Sequence, residues 1–207
     1  MRELSFVIAA YLIGSIPTSH LAGRAAGVDV SSRGSGNLGA TNVLRVIGPG
    51  WASVVLVVDV LKGFLPVWFF PLWDGSALPG LAVAYGVAAV AGHVWSAFLR
   101  LRGGKGVATG GGALLGVAPL TTLVTIVLWL GLVMITRTAS VASLVAATSA
   151  PLLAAWFDAS WTAVGFAALL AALVWWTHRD NLRRMRRGDE HRIGAASADA
   201  GNGEGTG

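Results

Sequence analysis

The chain has 207 residues, 55% hydrophobic and only 12% charged, with a formal net charge of +5. A soluble domain carries about a quarter of its residues as charges, so this chain cannot solvate a globular surface, and lipid is the solvent expected for most of it. The absence of cysteine excludes disulfides, thiolate metal sites, Fe–S clusters and thiol catalysis; His20, His93, His178 and His191 show no metal-ligand spacing, and no metal or cofactor is expected.

A membrane-spanning helix needs about 20 mostly apolar residues. Residues 4–23 form the first such block; Glu3 weakens a basic leader and no cleavage site follows, so it reads as a span rather than a signal peptide. A loop at 24–49 leads to apolar blocks at 51–72 and 78–98. After a basic turn at 99–106 comes a short apolar piece, 107–118, ended by Pro119. Blocks at 121–136, 141–157 and 161–177 follow, then a basic segment at 178–192. The stretch 193–207 is rich in Gly, Ala, Ser and Asp without an apolar period, and is expected to be disordered. The fold expected is all-α: a polytopic transmembrane bundle forming one domain over 1–192.

Charge decides how the short piece is counted. If 107–136 crossed once, the loop at 99–106 would face away from the C-terminal arginines. If the chain breaks at Pro119 and crosses twice, segments 24–49, 99–106, 137–140 and 178–192 share one side, and they hold every Lys and Arg except Arg2 and Lys62. The positive-inside rule selects the second arrangement: about seven spans, N-terminus outside, C-terminus cytoplasmic. The basic charge thus reads as membrane topology and not as a nucleic-acid surface. As a helix, 107–118 covers about 18 Å against roughly 30 Å of hydrocarbon, so it must lie deep among its neighbours. Gly110, Gly111 and Gly112 allow close helix approach there. No internal repeat supports a transporter built from inverted halves.

Three segments carry chemistry. The first loop reads Arg33-Gly-Ser-Gly-Asn-Leu-Gly-Ala-Thr-Asn-Val-Leu-Arg45. Gly34, Gly36 and Gly39 match a dinucleotide-binding spacing, but no strand or βαβ unit surrounds them. What remains is an anion nest of backbone N–H groups, with Ser35, Asn37, Thr41 and Asn42 as neutral donors and Arg45 on the helix expected to follow. The second segment is Arg100-Leu-Arg-Gly-Gly-Lys-Gly-Val-Ala-Thr109. It lacks the Walker A spacing, yet Lys105 between Gly103, Gly104 and Gly106 at the start of a short helix suits a phosphate. Both segments would also serve as topology-setting loops. In the third, His178-Arg-Asp-Asn181, His178 and Asn181 share a face if the last helix continues. Arg183, Arg184, Arg186 and Arg187 beyond them suit anionic headgroups. Ser140, after Arg137, is either a helix cap or a site residue.

Asp59 and Lys62 lie three residues apart inside the second span. Each costs about 2.5–3.5 kcal/mol near the membrane centre, so they must pair or face a polar space. A structural ion pair and a role beside the substrate both fit. His93, in the third span, is equally open to either reading.

Together these motifs resemble the bacterial glycerol-3-phosphate acyltransferases that take acyl-phosphate as donor. The resemblance runs from about Gly14 to Glu190. It rests on the stretches 34–45, 103–109 and 178–184 with Gly188 and Glu190, supported by Gly14-Ser-Ile-Pro-Thr18, Asp59-Val-Leu-Lys-Gly63, Gly92-His93 and Thr136-Arg-Thr-Ala-Ser140. One departure is Ser96, where the family usually has proline. The resemblance implies transfer of a fatty acyl group to the first hydroxyl of glycerol 3-phosphate, giving lysophosphatidic acid and inorganic phosphate, the first step of phospholipid synthesis. It further implies a monomer in the bacterial inner membrane with the site facing the cytoplasm. By this resemblance Ser35, Gly36, Asn37, Asn42 and Arg45, with Gly103, Gly104 and Gly106, hold phosphate, and Lys105 bridges to the second phosphate and the developing oxyanion. His178, Asn181 and Ser140 orient the glycerol hydroxyl, with His178 at its ordinary pKa or a substrate phosphate oxygen as general base; Asp59, Lys62, His93 and Thr109 support. An anion transporter remains the non-enzyme alternative.

Overall fold

The computed structural model describes residues 1–75, 78, 80–158 and 160–194, and among them every regular element is helical. In chain order these are α1 (Arg2–Ser15), α2 (Thr18–Ala25), α3 (Ala40–Val46), α4 (Pro49–Trp73), α5 (Leu81–Val94), a 3₁₀ turn at Ala97–Leu99, α6 (Val107–Val117), α7 (Pro119–Thr136), α8 (Ala139–Phe157), α9 (Trp161–Thr177) and α10 (Arg179–Arg187). Most of the tail expected to be disordered lies outside the described residues.

Five stretches are long and apolar enough to cross a membrane: Arg2–Ala25, Pro49–Trp73, Leu81–Leu99, Pro119–Thr136 and Ala139–Phe157. The pair α9 and α10, bent by 53°, makes up to six, and α6 is a shorter apolar helix of 11 residues. Their outer surface is apolar. Val127 is 70% exposed, Ile135 82% and Leu152 74%, which only a lipid environment accommodates without cost.

With no hydrophobic drive between helices in lipid, close packing must bring them together. Here glycines allow backbone contact. A Cβ on Gly63 of α4 would lie 1.9 Å from the Thr109 carbonyl oxygen, and one on Gly112 of α6 would lie 2.0 Å from that of Val60. Gly14 and Gly92 do the same between α1 and α5. Of the three glycines expected to serve α6, only Gly112 makes such an approach; Gly110 has ordinary contact with Leu170, and Gly111 faces open space.

The break at Pro119 falls where expected, with Ala118 the non-helical hinge between α6 and α7. One other break revises the sequence reading. The first span is not one helix: it stops at Ser15 and restarts at Thr18, because Pro17 has no N–H to continue the ladder. The carbonyl of Ile16 left at the break accepts from Lys62 Nζ at 2.9 Å. The last apolar block ends at Thr177, where the sequence bounds it, and the chain turns at His178 into α10, so the helix does not continue through His178. At Ser96 the bend survives without proline. Its hydroxyl donates to the Ser15 carbonyl at 2.6 Å and accepts from Phe98 N at 3.2 Å, capping the 3₁₀ turn.

Candidate active site

The first loop folds around Asn42. This buried side chain accepts from Ser35 N at 2.8 Å and Ser35 Oγ at 3.1 Å, and donates to the carbonyls of Val30 and Arg33 at 2.9 and 3.1 Å. All its polar groups are therefore used within the loop. Asn42 shapes the site rather than reaching a ligand, which corrects its expected role as a phosphate donor. Gly34 and Gly36 adopt positive φ, +60° and +68°, turning the chain so that Ser35, Gly36 and Asn37 wall a cavity. Arg45, on α3, points its guanidinium at the His191 carbonyl at 3.4 Å, and its Nε has no partner. Burial lowers its pKa from the usual arginine value, against the pull of Glu190.

The second loop touches the first. Gly104 N donates to the His93 carbonyl at 3.1 Å. A Cβ on Gly104 would lie 2.2 Å from His93 Nε2 and 2.6 Å from the Leu38 carbonyl oxygen, so only glycine fits between the end of α5 and the first loop. Lys105 follows at once. Its carbonyl accepts from Thr177 Oγ1 at 3.1 Å, and its Nζ donates to Asn181 Oδ1 in a short hydrogen bond. Burial and the Arg184 and Arg45 charges push Lys105 down to about 8, while Glu190 acts the other way. Gly106, at φ +80°, only starts α6 and packs against Val90 and Val94; it is not part of the cavity wall.

The third segment closes the site around a residue that the sequence reading left without a role, Glu190. Its carboxylate accepts from Ser140 Oγ at 2.9 Å, Asn181 Nδ2 at 2.6 Å and Arg184 Nε at 2.9 Å. Burial pushes this carboxyl up, but the three hydrogen bonds and the Arg184 charge outweigh it and hold it below the ordinary carboxylate range. Ser140 is not the cap of α8, a position held by Thr138. His178 is buried at the turn between α9 and α10, with Nδ1 2.8 Å from the Val174 carbonyl. An imidazole there must carry its proton on Nδ1 to satisfy that acceptor. Burial and the Lys105 charge lower it to about 4, so it does not keep its ordinary pKa, and it lies behind the cavity wall.

These loops line an open cavity of about 360 Å³. Ser35, Gly36 and Asn37 come from the first motif, Gly103, Gly104 and Lys105 from the second, and Asn181 and Arg184 from the third. Lys105, Arg179, Arg184 and Asp180 line the cavity, with Arg45 and Glu190 beside it; four cations against two carboxylates leave positive charge that an anion would balance. Two tryptophans also line the cavity: Trp95 and Trp176 stand with ring centroids 5.5 Å apart, and Arg179 covers the Trp176 ring at 4.5 Å. Thr109 is fully buried at the α4–α6 contact, away from the cavity. Asp59, Lys62 and His93 lie in a narrow cleft behind the Gly103–Gly104 turn.

Sequence spacing had marked Arg184 only as one of a basic run, and Trp95 and Trp176 only as apolar span residues. Glu190, an acid within a basic segment, was the signal available for that residue.

Comparison with known proteins follows the same lines. A family model described as Glycerol-3-phosphate acyltransferase matches residues 4–188. The glycerol-3-phosphate acyltransferase of Geobacter sulfurreducens is 44% identical over 195 residues, 94% of this chain and 100% of that one. Glycerol-3-phosphate acyltransferase 2 of Moorella thermoacetica is 46% identical, covering 92% and 97%. The crystal structure of PlsY (YgiH), an integral membrane glycerol 3-phosphate acyltransferase, in its glycerol 3-phosphate form superposes with a TM-score of 0.86 at 36% identity, covering 94% of this chain and 96% of that one. The lysophosphatidic acid form of the same protein gives 0.83.

Proposed function

This chain belongs to the glycerol-3-phosphate acyltransferase family, and on that premise we propose that it transfers a fatty acyl group from acyl-phosphate to the sn-1 hydroxyl of glycerol 3-phosphate. The hydroxyl oxygen attacks the acyl carbonyl carbon and the carbonyl–O–phosphate bond breaks. The hydroxyl proton is lost to a base. The products are lysophosphatidic acid and inorganic phosphate. Acyl-phosphate is a mixed anhydride and needs no enzyme nucleophile, in keeping with a chain that has no cysteine.

The observation that carries this reading is the convergence of three separate loops on one cationic cavity that two tryptophans also line. Two phosphate-bearing substrates, one with an acyl chain, require both features. Ser35, Gly36, Asn37 and Arg45 hold one phosphate, while Lys105 and Arg184 face the other and the oxyanion. Asn181 and Ser140, held by Glu190, orient the glycerol end, and the acyl chain leaves for the bilayer past Trp95 and Trp176. His178 sits behind the wall with a depressed pKa, which favours a substrate phosphate oxygen as the base and leaves the histidine to hold the α9–α10 turn.

The same contacts support the topology. Lys105 meets Asn181, Asn181 meets Glu190 and Glu190 meets Ser140, so loops 99–106 and 137–140 stand at one end. An even number of crossings must separate them, which α6 and α7 supply despite the shortness of α6. Arg2 lies instead beside Gly75, 3.0 Å from where its Cβ would be, at the far end of α4. This supports seven crossings, with the N-terminus outside and the site facing the cytoplasm of the bacterial inner membrane.

The test is donor choice. Purified protein in detergent receives labelled glycerol 3-phosphate with palmitoyl-phosphate or palmitoyl-CoA. Lysophosphatidic acid from the phosphate donor alone is expected; product from the thioester alone would overturn the assignment of the donor. No product from either, with folded protein, would favour an anion transporter.

A further inference from the structure

Asp59, Lys62 and His93 are buried charged and polar groups that the reaction does not use. Lys62 Nζ lies 2.6 Å from Asp59 Oδ1, 2.9 Å from the Ile16 carbonyl and 3.0 Å from Thr18 Oγ1. Thr18 in turn donates to Asp59 Oδ1 at 2.7 Å. The lysine thus ties α4 to the break between α1 and α2. It also reaches α5, since its Nζ is 3.4 Å from His93 Nδ1.

The other edge of that imidazole meets the catalytic loop. Its Nε2 occupies the space directly under Gly104, and its backbone carbonyl accepts the Gly104 N–H. The Leu38 carbonyl of the first loop crowds the same face of Gly104, 2.6 Å from where its Cβ would be. The turn therefore rests on His93 and the first loop together, one residue before Lys105. A buried ion pair used only for stability can usually be exchanged for apolar side chains without loss. Here the ions fix the height of a ring on which a functional loop rests.

We propose that Asp59, Lys62 and His93 are positioning residues for the acyl transfer reaction: their network sets the depth of the Gly103–Gly104 turn and thereby the reach of Lys105 into the cavity. The inference rests on the reading of Lys105 as a phosphate ligand. A deeper or looser turn would bring Lys105 nearer to solvent and away from the groups that face it, Arg45, Arg184, Glu190, Asp180 and His178.

The chain has only two lysines, Lys62 and Lys105, so the reach of Lys105 can be read by spectroscopy. The full chain, labelled with ¹³Cε-lysine in detergent, is titrated by NMR, with Lys105→Ala assigning its signal. His93→Ala is expected to raise the Lys105 midpoint by about one pH unit as the side chain regains water, and to lower kcat/KM about 10-fold. The paired change Asp59→Asn with Lys62→Met removes the anchor without leaving an unpaired charge, and is expected to shift the midpoint the same way. His93→Gln, whose amide reaches the Nε2 position but offers nothing at Nδ1 to meet Lys62, should shift the midpoint less than His93→Ala. An unmoved midpoint in His93→Ala and in the paired variant, whatever happens to activity, would overturn the proposal. Full acyl transfer by Lys105→Ala would instead overturn the reading of Lys105 itself, while the titration would still judge the brace.

Discussion

Asn181 Nδ2 donates to Glu190 Oε1 across 2.6 Å, and that bond fixes which end of the amide Lys105 meets. With the nitrogen held by a carboxylate, the oxygen is presented to Lys105 Nζ. Two motifs more than 70 positions apart in the sequence are thereby joined through a single side chain. The arrangement has direction: amide, carboxylate and ammonium each have one orientation that satisfies the others.

Asn181→Asp tests that direction. It replaces a donor by a second acceptor against Glu190, at nearly constant volume, and puts two carboxylates in contact. We expect kcat/KM to fall about 100-fold, the scale of losing an oriented catalytic hydrogen bond. Steady-state kinetics in detergent would check it, and a loss of less than about threefold would contradict the assigned orientation.

Glu190 should also leave a trace in stability. Its folded pKa lies below the ordinary 4.5 because Asn181, Ser140 and Arg184 bind its charged form. Such a group contributes stability that is complete above the unfolded value and is lost as pH falls through the folded one. The melting temperature of the wild type should therefore drop more steeply below pH 4.5 than that of Glu190→Gln. Parallel curves would contradict the network.

Lys105 predicts an alkaline limit. A cation with a pKa of about 8 is mostly charged at neutral pH and loses its charge as pH rises through 8. The kcat/KM profile should bend downward there. Lys105→Arg, whose guanidinium stays protonated, should remove the bend even if its longer fork lowers the rate. A bend that persists in that variant would belong to another group.

His178 predicts the opposite: no bend of its own near neutrality. With its pKa lowered to about 4, it is neutral throughout the working range. His178→Gln should lower kcat/KM about 10-fold by loosening the turn, with the shape of the pH profile unchanged. A limb near pH 6.5 that vanishes in this variant would restore the histidine as general base.

Much of this was legible in the sequence because charge is costly in a membrane helix and so marks the loops. The motifs around Gly34–Arg45 and Gly103–Thr109, and the break at Pro119, follow from composition and the side on which arginines fall. The break at Pro17 was not legible, since transmembrane helices tolerate proline when a neighbour satisfies the freed carbonyl; here the neighbour is Lys62, on another helix. Asn42 and Glu190 show the same limit from the other direction. Polar residue type marks a loop as able to bind an anion, but only the folded loop decides which side chains are consumed in building it. The end of the last span at Thr177 was legible from the basic run after it; whether the helix continued through His178 was not, because no proline or glycine marks the turn.

The most direct measurement counts products. Purified wild-type protein and Lys105→Ala would be given glycerol 3-phosphate and palmitoyl-phosphate, and lysophosphatidic acid and inorganic phosphate measured together through the linear phase. The account predicts one phosphate released per lysophosphatidic acid formed, with phosphate release dependent on glycerol 3-phosphate and both products lost in Lys105→Ala. Phosphate released without lysophosphatidic acid, or equal yields of both products from the variant, would contradict it.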